Sequence, residues 1–158
     1  MSRTTDILLT ALAPAIWGST YLVTTEALPD GYPVTLAALR ALPAGLLLLA
    51  VTRCLPPRAW LGRAFLLGTF NFALFWVLLF VAAYRLPGGV AATLGALQAM
   101  MVIFMARGWL GTPIRVGALL AAAAGVLGVA LLLIGPEAGL DPLGVAAGLG
   151  GAASMAAG

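Results

Sequence analysis

The side chains with chemical capacity are few and sit inside apolar stretches: Trp17, Ser19 and Tyr21 in one, Arg40 in the next, Asn71 and Trp76 in a third, and Gln98 in a fourth. Hydroxyls, amides, indoles and a guanidinium are recognition groups, which donate, accept or stack. The chain has no His, and its acids, Asp6, Glu26, Asp30, Glu137 and Asp141, fall near helix ends or between the apolar stretches. No nucleophile, base and orienting group converge, so hydrolytic catalysis has no visible apparatus and the chain is expected not to be an enzyme. The single cysteine, Cys54, rules out an intrachain disulfide, and with no His beside it a zinc-type site is not expected. Gly88-Gly89 lacks the Lys and Ser or Thr that follow in a phosphate-cradling loop. No metal or other cofactor is expected.

Arg40 lies seven positions inside the apolar stretch Pro33 to Thr52, about 10 Å from its start at about 1.5 Å per residue. A charge at that depth is expensive and marks a pathway, a partner or an anchor. Two readings stay open: a structural charge, snorkelling outward or paired with Glu26, or a direct contact to substrate. No carboxylate lies deep in any apolar stretch, so the chain offers no evident proton relay.

The neighbouring motifs are ambiguous in the same way. Pro14 withholds an amide from the carbonyl of Thr10, and Trp17-Gly18-Ser19-Thr20-Tyr21 follows. This predicts either a kinked helix presenting Trp17, Ser19 and Tyr21 to a cavity, or ordinary packing through small residues. Phe72, Trp76, Phe80 and Tyr84 are spaced four apart and define one helical face. That stripe reads first as packing or lipid-facing surface and second as the wall of an apolar pocket. Asn71 and Gln98 are amides in hydrocarbon and need partners, either another helix or a substrate. Gly117, Ala121 and Gly125, like Gly144 and Gly148, predict close helix contacts.

The elements that must hold these groups follow from composition. At 63% hydrophobic and 8% charged residues, with a mean hydropathy of +1.11, the chain falls outside the range of soluble domains. It is expected to be an all-α, polytopic membrane bundle. Stretches long enough to span run from Ile7 to Ala27, Pro33 to Thr52, Ala64 to Tyr84, Gly88 to Ala106 and Val116 to Ile134. A sixth begins at Leu143 and is read as truncated. Turns such as Leu28-Pro29-Asp30-Gly31 and Leu86-Pro87-Gly88-Gly89 join them, so neighbours must be antiparallel.

Arg3, Arg53, Arg58, Arg63, Arg107 and Arg115 fall on one side of this alternation and Arg85 on the other. The first side is therefore expected to be cytoplasmic, with the N-terminus inside. This scattering of arginines is topology information, and no nucleic-acid partner is expected. The sixth stretch enters from the opposite face to the first. Its run from Gly148 to Gly158 faintly echoes Leu9 to Gly18, as an inverted repeat would.

Taken in order, Ala15-Ile16-Trp17-Gly18-Ser19-Thr20-Tyr21-Leu22-Val23, Ala38-Leu39-Arg40 with its Ala and Leu run, and Ala83-Tyr84-Arg85-Leu86-Pro87-Gly88-Gly89-Val90-Ala91-Ala92 resemble the EamA family of the drug/metabolite transporter superfamily. The Gly- and Ala-rich run Gly117 to Leu133 matches that family's fifth helix. Two positions differ from it: Ala99 stands where Pro is usual, and Thr112 where Glu is usual. The resemblance implies a ten-helix transporter of two inverted five-helix repeats around a central cavity, exporting amino acids, metabolites or drugs. Residues 1–134 would form the first repeat, 135–142 an outer loop, and 143–158 the opening of the second. It also implies an architectural Arg at position 40. A bacterial inner-membrane location, a small-molecule substrate, and either a homodimer or a missing C-terminal half as partner follow as expectations. The competing expectation is a non-transporting, truncated membrane protein that needs another bundle.

Overall fold

Each apolar stretch is helical in the computed structural model, which describes residues 3–29, 31–133 and 141–158. Helix α1 (Arg3–Glu26) runs through Pro14 without interruption. Helix α2 (Pro33–Thr52) starts on a proline, whose missing amide is harmless in the first turn. It stops at Arg53, whose left-handed backbone (φ 50°) returns its N–H to the Leu49 carbonyl. The third rod is composite: a 3₁₀ turn (Arg58–Trp60), α3 (Leu61–Gly68), a π turn (Thr69–Leu74) and α4 (Phe75–Arg85). Extended backbone at Leu86 ends it before Pro87. Helices α5 (Gly88–Ala96), α6 (Gln98–Leu110), α7 (Val116–Leu133) and α8 (Pro142–Ala157) follow.

Among the described residues, four rods are long and apolar enough to cross a membrane: Thr4–Thr24, Pro33–Thr52, Arg58–Arg85 and Gly88–Leu110. Val116–Leu131 and Pro142–Ala157 are shorter apolar helices. Large apolar side chains such as Leu46, Leu47, Phe65 and Leu120 are exposed along them, an arrangement that only a hydrocarbon solvent makes favourable. The protein is a multi-pass helical membrane bundle.

The rods differ from the sequence expectation mainly at their ends. The first begins at Arg3, and the third begins at the Arg58 turn rather than at Ala64. The fourth extends to Leu110, where Gly111 closes it with a positive φ of 67°, and it is broken at Leu97. There the Leu97 N–H reaches the Leu94 carbonyl, three residues back, at 3.1 Å. The break thus falls one residue before Gln98, without the proline that position 99 lacks. Ile134, most of the expected loop 135–142 with Glu137, and Asp30 lie outside the described residues. Asp141 caps α8, accepting from the N–H groups of Leu143 (2.7 Å) and Gly144 (3.2 Å).

Helix α8 is the packing hub. Its small face of Gly144, Ala147, Gly148, Gly151, Ala152 and Ser154 is buried, against Ala82, Leu86, Val90, Ala91 and Leu94 of α4, α5 and the turn between them. A Cβ on Gly144 would come within 2.8 Å of Arg85 Cβ, and one on Gly148 within 3.1 Å of Leu94 Cδ1. The close contacts expected of Gly144 and Gly148 are therefore made. Those expected of α7 are not made among the described residues: a Cβ on Gly117 or Gly125 would meet none of them within 4 Å. Ala121 and Gly125 instead line an open groove between α7 and the α5–α6 rod. Backbone approach needs a partner ridge, and bulkier groups such as Met100 and Ile103 hold this one away.

Candidate functional site

Trp17 on α1 meets Phe75 on α4 edge to face, with ring centroids 6.5 Å apart. Phe75 meets Trp76 in the same manner at 5.5 Å, and Trp76 stacks on Phe80 at 6.0 Å. The packing order differs from the stripe expected in the sequence. Phe75 and Phe80 are buried, and Phe72 is 56% exposed. The π turn accounts for the difference, because its wider spacing re-phases the rod at Phe72 relative to the residues beyond it.

This aromatic partition separates two chambers, each open on one side. One, of about 340 Å³, is lined by Ile16, Trp17, Arg40, Asn71, Phe72, Phe75, Trp76 and Met155. The other, of about 320 Å³, is lined by Pro14, Trp17, Gly18, Tyr21, Phe75, Ala92, Gly95 and Gln98. Trp17, Tyr21, Asn71, Trp76 and Gln98 thus share one region, with Trp17 and Phe75 common to both chambers. Gly95 packs closely there, and a Cβ would lie 3.4 Å from the Tyr21 hydroxyl. Pro14 and Gly18 join Trp17 and Tyr21 on the wall, where a helix can best tolerate a lost backbone hydrogen bond.

Ser19 is placed elsewhere. It faces a separate groove bounded by Ile16, Thr20, Thr24, Leu36 and Arg40, and its hydroxyl donates to the Ile16 carbonyl at 2.8 Å. Glu26 is exposed at the end of α1, and Arg40 does not pair with it. The Arg40 guanidinium donates to Thr20 Oγ1 at 2.7 Å and lies 4.2 Å above the Trp76 ring. The reason is depth: Thr20 is six residues from the end of α1 and Arg40 seven from the start of α2, so both sit about 9–10 Å below that end. Glu26 is at the surface.

Thr20, Phe75 and Met155 belong to the site although their types did not single them out. Thr20 is 4% exposed and stands three residues from Trp17. That helical spacing was available as a signal in the sequence. Met155 comes from α8 and has no local signal. Nearby, the Phe70 carbonyl in the π turn accepts from Ser154 Oγ of α8 at 2.8 Å, and the Asn71 amide lies close against Gly158 at the end of that helix.

At the end of the bundle, Tyr84 donates its hydroxyl to the Pro29 carbonyl at 2.9 Å. Arg85 bridges to Asp141 at 2.8 Å. The Arg85 hydrogen bond, then the amides of Gly144 and Leu143, hold the Asp141 carboxyl below the usual carboxylate range. These contacts gather the ends of α1, α4 and α8 at one rim, above the chambers.

The EamA-like transporter family profile matches residues 4–134. Protein PecM of Dickeya dadantii (strain 3937) is 47% identical over 146 residues, which cover 92% of this chain and 49% of that protein. The chain therefore spans about half the length of this curated relative. No solved structure gives a match.

Proposed function

The chain belongs to the EamA-like transporter family, and from that premise we propose that it carries the substrate-binding first half of an exporter of amino acids, small metabolites or drugs. Transport proceeds by alternating access. Residues 1–134 form the first five-helix repeat, 135–142 the outer loop and 143–158 the start of the inverted second repeat. The protein resides in a bacterial inner membrane with its N-terminus in the cytoplasm, and the arginine asymmetry supports that orientation.

The observation that carries this reading is the pair of chambers flanking the Trp17–Phe75 contact. Pockets for small molecules are mostly apolar, with a few placed polar groups. Here the apolar walls are aromatic, and the polar groups are Arg40, Asn71, Tyr21 and Gln98. The walls come from different rods, and α1 and α4 contribute to both, so movement of α1 against α4 changes both chambers. Trp17, Tyr21, Asn71, Trp76 and Gln98 contact the substrate, while Ser19 lines the side groove.

The test is solute uptake into inverted membrane vesicles from cells carrying the complete gene. The panel contains amino acids, aromatic carboxylates and cationic drugs. Concentrative uptake of at least one class above vector control is expected. Uniform failure would remove the transport reading and favour a non-transporting membrane protein.

A further inference from the structure

Arg40 is oriented by its neighbours without being neutralised by them. A guanidinium offers five N–H donors in a planar fork. Thr20 accepts from one of these, at 2.7 Å. The Thr20 hydroxyl also makes a long contact of 3.4 Å to the Ile16 carbonyl, which takes its proton and leaves a lone pair turned to Arg40. Trp76 covers one face of the guanidinium at 4.2 Å.

Both partners are neutral. Among the described residues the ion pair is Arg85 with Asp141, and Arg40 has no carboxylate beside it. A cation at this depth is costly unless paired. The protein nonetheless fixes its geometry with a hydrogen bond from one helix and a ring from another. That arrangement suits a cation whose counter-charge arrives from outside.

The adjoining chamber completes the description of the ligand. Beyond Arg40 its wall is Ile16, Trp17, Phe72, Phe75 and Met155, with the Asn71 amide on the same wall. Its volume of about 340 Å³ is at the small end of the range for ligand pockets. The free side of a planar fork matches a carboxylate in bidentate geometry, and the aromatic edges and faces match a flat apolar body.

Resting on the transporter reading above, we infer that the ligand is a small organic carboxylate with an aromatic or apolar body. Its carboxylate sits on Arg40, and its body lies among Trp17, Phe72 and Phe75. Arg40 is then a specificity-determining residue as well as a helix-to-helix anchor.

The test uses the full-length protein in detergent and two probes of nearly equal shape, 1-naphthaleneacetate and 1-naphthaleneacetamide. Isothermal titration calorimetry reports their affinities. The wild type is expected to bind the acetate about tenfold or more tightly than the amide, the scale of a charge-assisted hydrogen bond. Arg40→Gln is expected to bring the ratio to about one, and Arg40→Lys, which keeps the charge and loses the fork, to leave an intermediate ratio. Equal affinities in the wild type, absence of binding by either probe, or a ratio that Arg40→Gln leaves unchanged would overturn the inference. If Arg40→Gln does not give monodisperse protein, Arg40→Lys and Thr20→Val decide: a ratio that neither changes overturns it. Flux of neutral or cationic solutes with no preference for carboxylates overturns this inference and leaves transport standing. Arg40-dependent binding of naphthaleneacetate without flux of any solute supports the anion site and removes transport.

Discussion

Helix α4 has two faces of similar apolarity and opposite texture. Toward α8 it meets glycine and alanine, and the seam closes until Gly144 has no room for a Cβ against Arg85. Toward α1 and α2 it presents Phe75, Trp76 and Phe80, and two chambers of more than 300 Å³ remain beside them. Trp17 of α1 meets Phe75 across this face and holds α1 off α4, whereas small residues let backbones approach. The dense face gives α4 a fixed position. The open face uses that rigidity to hold the proposed binding surface, as a preorganised site requires.

The strongest way to break this contrast is to overfill the seam. Gly144→Val should destabilise the fold by about 1–3 kcal/mol, the range for an overpacked core, and lower the yield of monodisperse protein. Gly117→Val, on the open face of α7, should stay within about 0.5 kcal/mol of wild type. Thermal unfolding of the two purified variants makes the comparison, and equal losses would show that the seam is not special.

Arg40→Ala should cost about 1–2 kcal/mol in the same assay, because it removes the Thr20 hydrogen bond and the Trp76 stack while also relieving the burial of a charge. It should also weaken carboxylate binding. Unchanged stability with altered affinity would make Arg40 a ligand group alone.

Asn71→Leu and Gln98→Leu should do the reverse of the glycine variants. Each is expected to change substrate affinity severalfold with a smaller loss of melting midpoint than Gly144→Val, since both amides line chambers. A large loss of stability without a change in affinity would move them to the packed class.

The smallest effect concerns the rim. Because the Asp141 pKa is lowered in the fold, its contribution is present above the ordinary carboxylate range and is lost as pH falls through the depressed value. Asp141→Asn keeps a good helix cap and removes the charge. Its melting midpoint should lie slightly below wild type at neutral pH and converge with it in acid. A constant gap across pH would assign the effect to capping instead of to Arg85.

The limits of sequence reading fall along the same divide between local and long-range causes. The start of α2 was legible in Pro33 and its length in the apolar run that follows, because both act within one or two turns. The start of α8 at Pro142 falls one residue before the Leu143 expected from the apolar run, because Asp141 caps the helix there. The partner of Arg40 was not legible: Thr20 lies on another helix, and only equal depth from the shared end brings them together. The π turn left only a faint compositional mark, Thr69 and Asn71 within an otherwise apolar run, and neither residue type dictates a π turn. It nevertheless decides which aromatics are buried. The open face of α7 shows the converse error, in which a small-residue stripe at the right spacing found no ridge to meet.

The π turn also says something about the third rod as a periodic object. A π turn holds one residue more than the α-helix it replaces, so the rod is out of phase by about 100° across it. Deleting a residue elsewhere in this rod would rotate everything on one side away from its partners. Deleting Ala73 would convert the π turn to α-helix and leave both flanks facing as they do now, losing chiefly the Phe70 carbonyl that Ser154 engages. The turn is thus a one-residue reserve of chain length, stored where the rod passes between its dense face and its open one.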